Sequence, residues 1–274
     1  MEGFAEISGG KLYYESSANT QNPCIVLMHA GFLDLRMWDL QFDFFANEGF
    51  RVIRYDRRGL GKSDKPSSSY DEARDLFELL NFLRIQKCSP IGISNGGGVA
   101  IDFALDYPDK VSSLILVAPT VEGYEYADMH EEKLDKAMDD EWTRWAEALK
   151  DNRFKEAIEI HLGILAPALS EDAKAKIVKI ALDNYAIFNT SIDEMRIKRN
   201  PAAFKRLSEI KVPTLLVWGD KDYPGQISLA ERVQSFIPGS RKILIHGADH
   251  LVNVSQPATF NRVVSNFLKS QKSK

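Results

Sequence analysis

Short apolar runs recur along this chain, and stretches of helical length separate most of them. The first run, Cys24–Met28, has five apolar residues in succession, as expected of a strand buried on both faces of a parallel sheet. Further strands are predicted at residues 51–55, 90–93, 113–118, 212–218 and 242–246. Helices are predicted at 36–47, 70–85 and 95–106. This alternation predicts an α/β fold with a mostly parallel central sheet and helices on both faces.

The start of the chain has a different pattern. Apolar and polar side chains alternate over residues 4–16, with Gly9 and Gly10 in the middle. This spacing predicts an antiparallel hairpin ahead of the parallel strands.

Residues 121–203 change character, because they are rich in charge and helical in pattern, with no obvious strand. Two apolar faces are predicted there, one made of Leu134, Met138, Trp142, Trp145 and Leu149 and the other of Ile177, Ala181 and Tyr185. We interpret 121–203 as a helical cap (lid) inserted into a core domain formed by 1–120 and 204–274. Ordinary surface helices without a lid role are the alternative.

The segment Gly92-Ile93-Ser94-Asn95-Gly96 lies between a predicted strand and a predicted helix. A G-x-S-x-G sequence in such a turn is typical of a nucleophile elbow, which exposes the serine hydroxyl at the start of a helix. Negative charge is favoured at that position. Because this pattern is common in unrelated loops, a flexible Gly/Ser turn is the alternative. Motifs elsewhere in the chain are needed to distinguish the two.

An acid and a histidine follow later strands, in the order Ser, Asp, His. A serine hydroxyl needs a base to take its proton, and the base needs a carboxylate to hold its tautomer. We interpret Ser94 as the nucleophile, Asp222 as the orienting acid and His250 as the base. Asp220 competes as the acid. His246 competes as the base, but it ends an apolar run and is expected to pack or cap there.

The loop after the first buried run supplies a further candidate. One oxyanion donor is expected from this loop and another from the backbone N–H after the nucleophile. The candidates are therefore Gly31 or Phe32 together with Asn95. We interpret His29 as ordering this loop by hydrogen bonding, without a role in proton transfer.

Taken together, these motifs resemble the α/β-hydrolase superfamily over nearly the whole chain, and within it the small bacterial esterase and enol-lactonase group. There is some likeness to carbon–carbon bond hydrolases of aromatic catabolism. The motifs are His29-Ala30-Gly31, Trp38, residues 56–64, 92–97, 107–111, 219–222 and 247–250. Two positions depart from the family. The loop reads His-Ala-Gly instead of His-Gly-x, which leaves the donor open between Gly31 and Phe32. Asn95 replaces the usual Met, Gln or Leu, and its amide either adds a donor or is solvated.

Composition excludes several other classes. The net charge of −4 over 274 residues gives no support for nucleic-acid binding. Cys24 and Cys88 lie in or beside apolar runs and are expected to be core residues, and the five histidines have no zinc spacing. No signal segment or membrane-length run is present. We expect a cytoplasmic monomer or dimer with no metal, no cofactor and no membrane partner.

These observations predict a serine hydrolase that cleaves a carboxylic ester or lactone of a small substrate through an acyl-enzyme. The family's dehalogenases and epoxide hydrolases use a carboxylate nucleophile, so Ser94 argues against both. Cleavage of a carbon–carbon bond or an enol-lactone in aromatic catabolism is the alternative within enzymes. Arg196 and Arg199 are conceivable partners for the carboxylate of such a substrate. A small-molecule receptor without turnover is the alternative from another class.

Overall fold

A computed structural model describes residues 1–17, 23–184 and 195–272. Its centre is an eight-stranded sheet in the order β1-β2-β4-β3-β5-β6-β7-β8. The strands are β1 Glu2–Ile7, β2 Gly10–Ser16, β3 Cys24–Met28, β4 Arg51–Tyr55, β5 Cys88–Ile93, β6 Leu114–Val117, β7 Thr214–Gly219 and β8 Arg241–Ile245. The first hairpin pairs antiparallel and joins β4 antiparallel, whereas all pairs from β4 to β8 are parallel. The predicted fold class is therefore confirmed.

Helices cover both faces of this sheet and fill the connections between strands. Those of the described residues are α1 Asp39–Asn47, α2 Glu72–Phe82, α3 Asn95–Asp106, α4 Met129–Asp135, α5 Asp139–Lys150, α6 Phe154–Leu165, α7 Glu171–Asp183, α8 Ala203–Arg206, α9 Pro224–Phe236, α10 Val252–Ser255 and α11 Pro257–Lys272. The predicted helix at 36–47 begins with a 3₁₀ turn, Leu35–Trp38, before α1. No helix in this part of the chain is both long and apolar enough for a bilayer crossing.

Strand alternation divides the core into two layers. Val26 and Met28 of β3 pack with α2, α3 and α9 on one face. Ile25 and Leu27 of the same strand pack with α1 and α11 on the other. Successive side chains of a strand point to opposite faces, so a run that is apolar at every position needs helices on both sides. Cys24 and Cys88 are buried and unpaired, as predicted.

Where it is described, the predicted cap segment contains four helices, α4 to α7, which follow one another between β6 and β7. The single apolar face predicted from Leu134 to Leu149 is wrong. A 3₁₀ turn at Lys136–Met138 separates α4 from α5, because α4 packs against α9 whereas α5 packs against α6. Tyr185 and the rest of 185–194 lie outside the described residues, and the division into core and cap stays a prediction.

Candidate active site

Ser94 lies in a strained turn between the end of β5 and the start of α3. Its φ is +52° and its ψ is −121°, a region that residues other than glycine rarely occupy. The turn is held by its neighbours, since Ser94 N donates to Val117 O at 3.0 Å and Gly98 N donates to Ser94 O at 3.1 Å. This is a fixed strand-to-helix elbow, so the alternative of a flexible turn is wrong.

Two glycines allow this turn to close. A Cβ on Gly92 would lie 2.1 Å from Gly96 O, and a Cβ on Gly96 would lie 2.3 Å from Met28 O. Both neighbours are backbone atoms that cannot rotate away. The G-x-S-x-G spacing is therefore a packing requirement of the elbow, which sets the serine at the N-terminal end of α3.

His250 and Asp222 form a buried pair at the ends of β8 and β7. His250 Nδ1 lies 2.8 Å from Asp222 Oδ2, and their side chains are 4% and 0% exposed. The other carboxylate oxygen of Asp222 accepts the backbone N–H of Tyr223 at 2.9 Å. Burial lowers the pKa of His250, but the charge and hydrogen bond of Asp222 outweigh it, so the net pKa is raised above its ordinary 6.5. The pair thus has a fixed orientation and a strengthened base.

The competing pair lies elsewhere. His246 Nδ1 lies 3.0 Å from Asp220 Oδ2, and the side chain of His246 is 84% exposed. Of the two roles expected for His246, packing is wrong, because this residue follows the last residue of β8, which is the edge strand of the sheet. Neither residue lines the cavity described next.

A cavity of about 220 Å³ lies beyond the carboxyl ends of the parallel strands, where such sheets bind ligands. Its floor comes from strand-end loops and its roof from the predicted cap. Ser94 and His250 both face it, whereas Asp222 lies behind His250. The lining residues are Ala30, Gly31, Phe32, Leu33, Ser94, Asn95, Thr120, Trp142, Ile158, His161, Leu162, Leu165, Ile177, Ala181, Tyr223, Gln226, His250 and Leu251.

All three candidate oxyanion residues line this cavity beside Ser94. Asn95 begins α3, and its side-chain Nδ2 lies 3.0 Å from the position of a Cβ on Gly31. Phe32 has a positive φ of 63°, and no sequence pattern predicted this conformation. The structure therefore brings the loop after β3 close to the start of α3, and the choice between Gly31 and Phe32 as the loop donor stays open.

His29 forms hydrogen bonds that hold the loop after β3 in place. It is fully buried. Its Nδ1 lies 2.8 Å from Ala30 O, and its Nε2 accepts the backbone N–H of Arg57 at 2.9 Å. Burial, assisted by the Arg57 charge, lowers the pKa of His29 to about 3. The ring is therefore neutral with its proton on Nδ1, which agrees with a loop-ordering role.

Four polar residues of the cavity were not singled out from the sequence, namely Thr120, His161, Tyr223 and Gln226. His161 belongs to α6 and contacts Phe32 and Trp142 edge-on, with ring centroids 5.5 and 5.4 Å away. Burial and the nearby His250 lower the pKa of His161 to about 4, so it is neutral. No motif marks these residues, because they reach the cavity through tertiary packing.

The predicted cap also forms hydrogen bonds with the loop that carries His250. Leu165, the last residue of α6, accepts the backbone N–H of His250 at 3.0 Å. Asp249 accepts the backbone N–H of Ala168 at 2.9 Å. The position of the imidazole therefore depends on α6 as well as on the sheet.

The two arginines considered as carboxylate partners are occupied elsewhere. Arg196 pairs with Glu72, and Arg199 pairs with three carboxylates, those of Asp71, Asp102 and Asp106. Neither arginine lines the cavity. Over residues 1–17, 23–184 and 195–272 there is no group of three or more His, Cys, Asp or Glu side chains placed to hold a metal ion.

Comparisons with known proteins agree with this geometry. The chain is 31% identical to a Bacillus subtilis (strain 168) protein provisionally named 2-succinyl-6-hydroxy-2,4-cyclohexadiene-1-carboxylate synthase, over 80% of this chain and 81% of that one. It is 28% identical to the 2-hydroxy-6-oxononadienedioate/2-hydroxy-6-oxononatrienedioate hydrolase of Burkholderia vietnamiensis (strain G4 / LMG 22486), over 94% and 91%. An esterase from Exiguobacterium antarcticum superposes with a TM-score of 0.80 at 25% identity, over 98% and 100%. The family model for the alpha/beta hydrolase fold matches residues 23–257, and this chain belongs to that family.

Proposed function

We propose that this protein hydrolyses uncharged carboxylic esters or lactones through an acyl-enzyme on Ser94. The observation that carries the proposal is the buried Asp222–His250 pair, whose imidazole opens onto the same cavity as Ser94. A nucleophile, a base and an orienting acid are the groups that acyl transfer requires. The family and the likeness to an esterase are consistent with this chemistry.

The proposed mechanism gives each of these residues one role. Ser94 Oγ attacks the carbonyl carbon while His250 Nε2 takes its proton, and Asp222 stabilises the imidazolium that forms. The backbone N–H of Asn95, with that of Gly31 or Phe32, stabilises the oxyanion, and each such donor contributes on the order of 10²–10³ in rate. His250 then protonates the leaving alkoxide. In the second half, it removes a proton from water, which attacks the acyl carbon and releases the acid and Ser94.

The charge of the cavity favours an uncharged substrate. None of its lining residues is Lys, Arg, Asp or Glu. Residues 185–194, which lie outside the described part of the chain, also contain no Lys or Arg in their sequence. A substrate carboxylate would lose its hydration in this cavity without a cation to replace it, which is costly. We therefore favour neutral esters and lactones over the dianionic dienedioates named for the Burkholderia relative.

The test is steady-state hydrolysis of p-nitrophenyl butyrate by the wild type and by Ser94→Ala. Loss of a triad nucleophile is expected to lower kcat by on the order of 10⁶. Ser112→Ala is the matched control. This exposed serine precedes β6, whereas Ser94 follows the carboxyl end of the neighbouring strand β5. A fall of less than about tenfold in Ser94→Ala would refute the role of Ser94.

The same assay separates the alternatives. Mono-p-nitrophenyl succinate presents a carboxylate in the acyl chain, and the wild type should hydrolyse it at least about tenfold less efficiently than the butyrate ester. Efficient cleavage of a 2-hydroxy-6-oxo-dienedioate with poor ester turnover would favour the carbon–carbon hydrolase instead. Saturable ester binding without acyl-enzyme or product would favour a receptor.

A further inference from the structure

Among the polar side chains of the cavity that catalysis does not use, Gln226 and Thr120 have their donors already engaged by carbonyl oxygens. Gln226, on the first turn of α9, is 5% exposed. Its Nε2 donates to Ala118 O at 3.0 Å and to Pro119 O at 3.2 Å. Since carbonyl oxygens can only accept, these partners fix which end of the amide is nitrogen.

The other end of this amide, Oε1, is therefore directed away from the end of β6. Among the described residues, the side-chain hydrogen bonds of Gln226 are the two that Nε2 donates. The residue lines the cavity. Oε1 is not one of the fully buried side-chain atoms that lack a partner among the described residues, so it is accessible and can accept a hydrogen bond from a donor on a bound molecule.

Thr120 extends this surface towards the nucleophile. Its single hydroxyl proton is used in a bond of 3.3 Å to Ser94 O. Two lone pairs remain on Oγ1, and Thr120 also lines the cavity. The free capacity of both side chains is thus for accepting hydrogen bonds, and the bond to the Ser94 carbonyl places this capacity close to the reaction centre.

We propose that Gln226 Oε1 and Thr120 Oγ1 form an acceptor subsite that selects esters or lactones carrying a hydroxyl or amide N–H near the scissile carbonyl. The inference rests on the proposed function and adds the substrate class. A carboxylate or a keto group cannot satisfy this subsite, because neither has a proton to donate. A purely aliphatic acyl chain leaves both acceptors unpaired.

The experiment compares two esters that differ by one hydroxyl, p-nitrophenyl 3-hydroxybutyrate and p-nitrophenyl butyrate. The readout is the ratio of their kcat/KM values. One neutral hydrogen bond changes such a ratio by about 2- to 12-fold, so the wild type should prefer the hydroxy ester by this factor. Damage to the fold or to the triad lowers both values and leaves the ratio unchanged.

Three variants locate the effect. Thr120→Val and Gln226→Met remove the acceptors with little change of volume and should bring the ratio towards one, whereas Thr120→Ser keeps the hydroxyl and the preference. A fall of the ratio in either Thr120→Val or Gln226→Met supports the subsite. A wild-type ratio of one or less, or a ratio unchanged in both variants, overturns it.

A binding measurement separates this inference from the proposed function. The wild type is titrated with 4-hydroxypentan-2-one and with pentan-2-one, which need no turnover and carry no N–H, by ligand-observed NMR. Tighter binding of the hydroxy ketone, lost in Gln226→Met, supports the subsite even where Ser94-dependent hydrolysis is not found. Equal binding of the two ketones overturns the subsite and leaves ester hydrolysis to its own test.

Discussion

Replacing Asp222 by asparagine is the most direct test of the proposed mechanism. The carboxylate is fully buried and lies 2.8 Å from His250 Nδ1, so the shape of the site changes little while one charge is removed. A carboxamide at this position can donate its own proton to Nδ1. The ring proton then moves to Nε2, which is the nitrogen that must accept the proton of Ser94.

Two separate effects are expected. The wrong tautomer lowers kcat by on the order of 10⁴, the size known for the same change in a serine-protease triad. The second effect is on the pKa of His250. In the wild type Asp222 raises this pKa above 6.5 against the effect of burial, so activity is lost as pH falls through that raised value. Without the carboxylate burial dominates, and the acid limb of kcat/KM moves to lower pH.

The assay is a pH profile of p-nitrophenyl butyrate hydrolysis, with Asp220→Asn as the matched control. Asp220 makes the same kind of contact with His246, at 3.0 Å, but on the surface. Its replacement should leave kcat within about twofold and the acid limb unmoved, as is usual for an exposed pair. A kcat within tenfold of wild type in Asp222→Asn, or an acid limb displaced upward, would contradict the assigned roles.

Three further predictions concern stability, each measured by urea unfolding. Gly92→Ala should lower the free energy of unfolding by about 3 kcal/mol or more, because its Cβ would meet Gly96 O at 2.1 Å. Gly163→Ala, in α6 with nothing within 4 Å of the new Cβ, should raise it by about 0.5–1 kcal/mol, and equal effects in the two would refute the packing argument. His29 has a folded pKa lowered to about 3, so stability falls as pH drops below the unfolded value of 6.5. Between pH 7 and pH 5 this group should account for about 2 kcal/mol of lost stability, and His29→Asn should lack that loss, so an unchanged pH dependence would count against it.

Much of the fold could be predicted because its central strands are buried on both faces. β3 and β6 are apolar and buried at every position, and such runs are visible without an alignment. The first helices of the predicted cap were harder to predict. Their apolar spacing continues from Leu134 to Leu149, yet the chain turns between α4 and α5. That break depends on α4 packing against α9, which is far away in sequence and leaves no local signal.

The candidate site could likewise be predicted only in part. Ser94, Asp222 and His250 could be proposed because each follows a strand, and the ends of parallel strands meet at one edge of the sheet. The packing expected for His246 is wrong because the sequence of Lys242–His246 does not indicate whether its strand lies at the edge or at the centre of the sheet. β8 lies at the edge, and Arg241, Lys242 and Leu244 are exposed.

In the proposed subsite, substrate specificity depends on residues that no sequence motif marks. Gln226 is one polar residue on an amphipathic helix, and its role comes from two carbonyls more than a hundred positions earlier in the chain. Those carbonyls use its donor and leave its acceptor to the cavity. Hydrolases of this family can therefore keep the same nucleophile and base while differing in the hydrogen bonds still available around the substrate. The unused donors and acceptors of the cavity, together with the charge of its lining, indicate the substrate class more directly than the triad does.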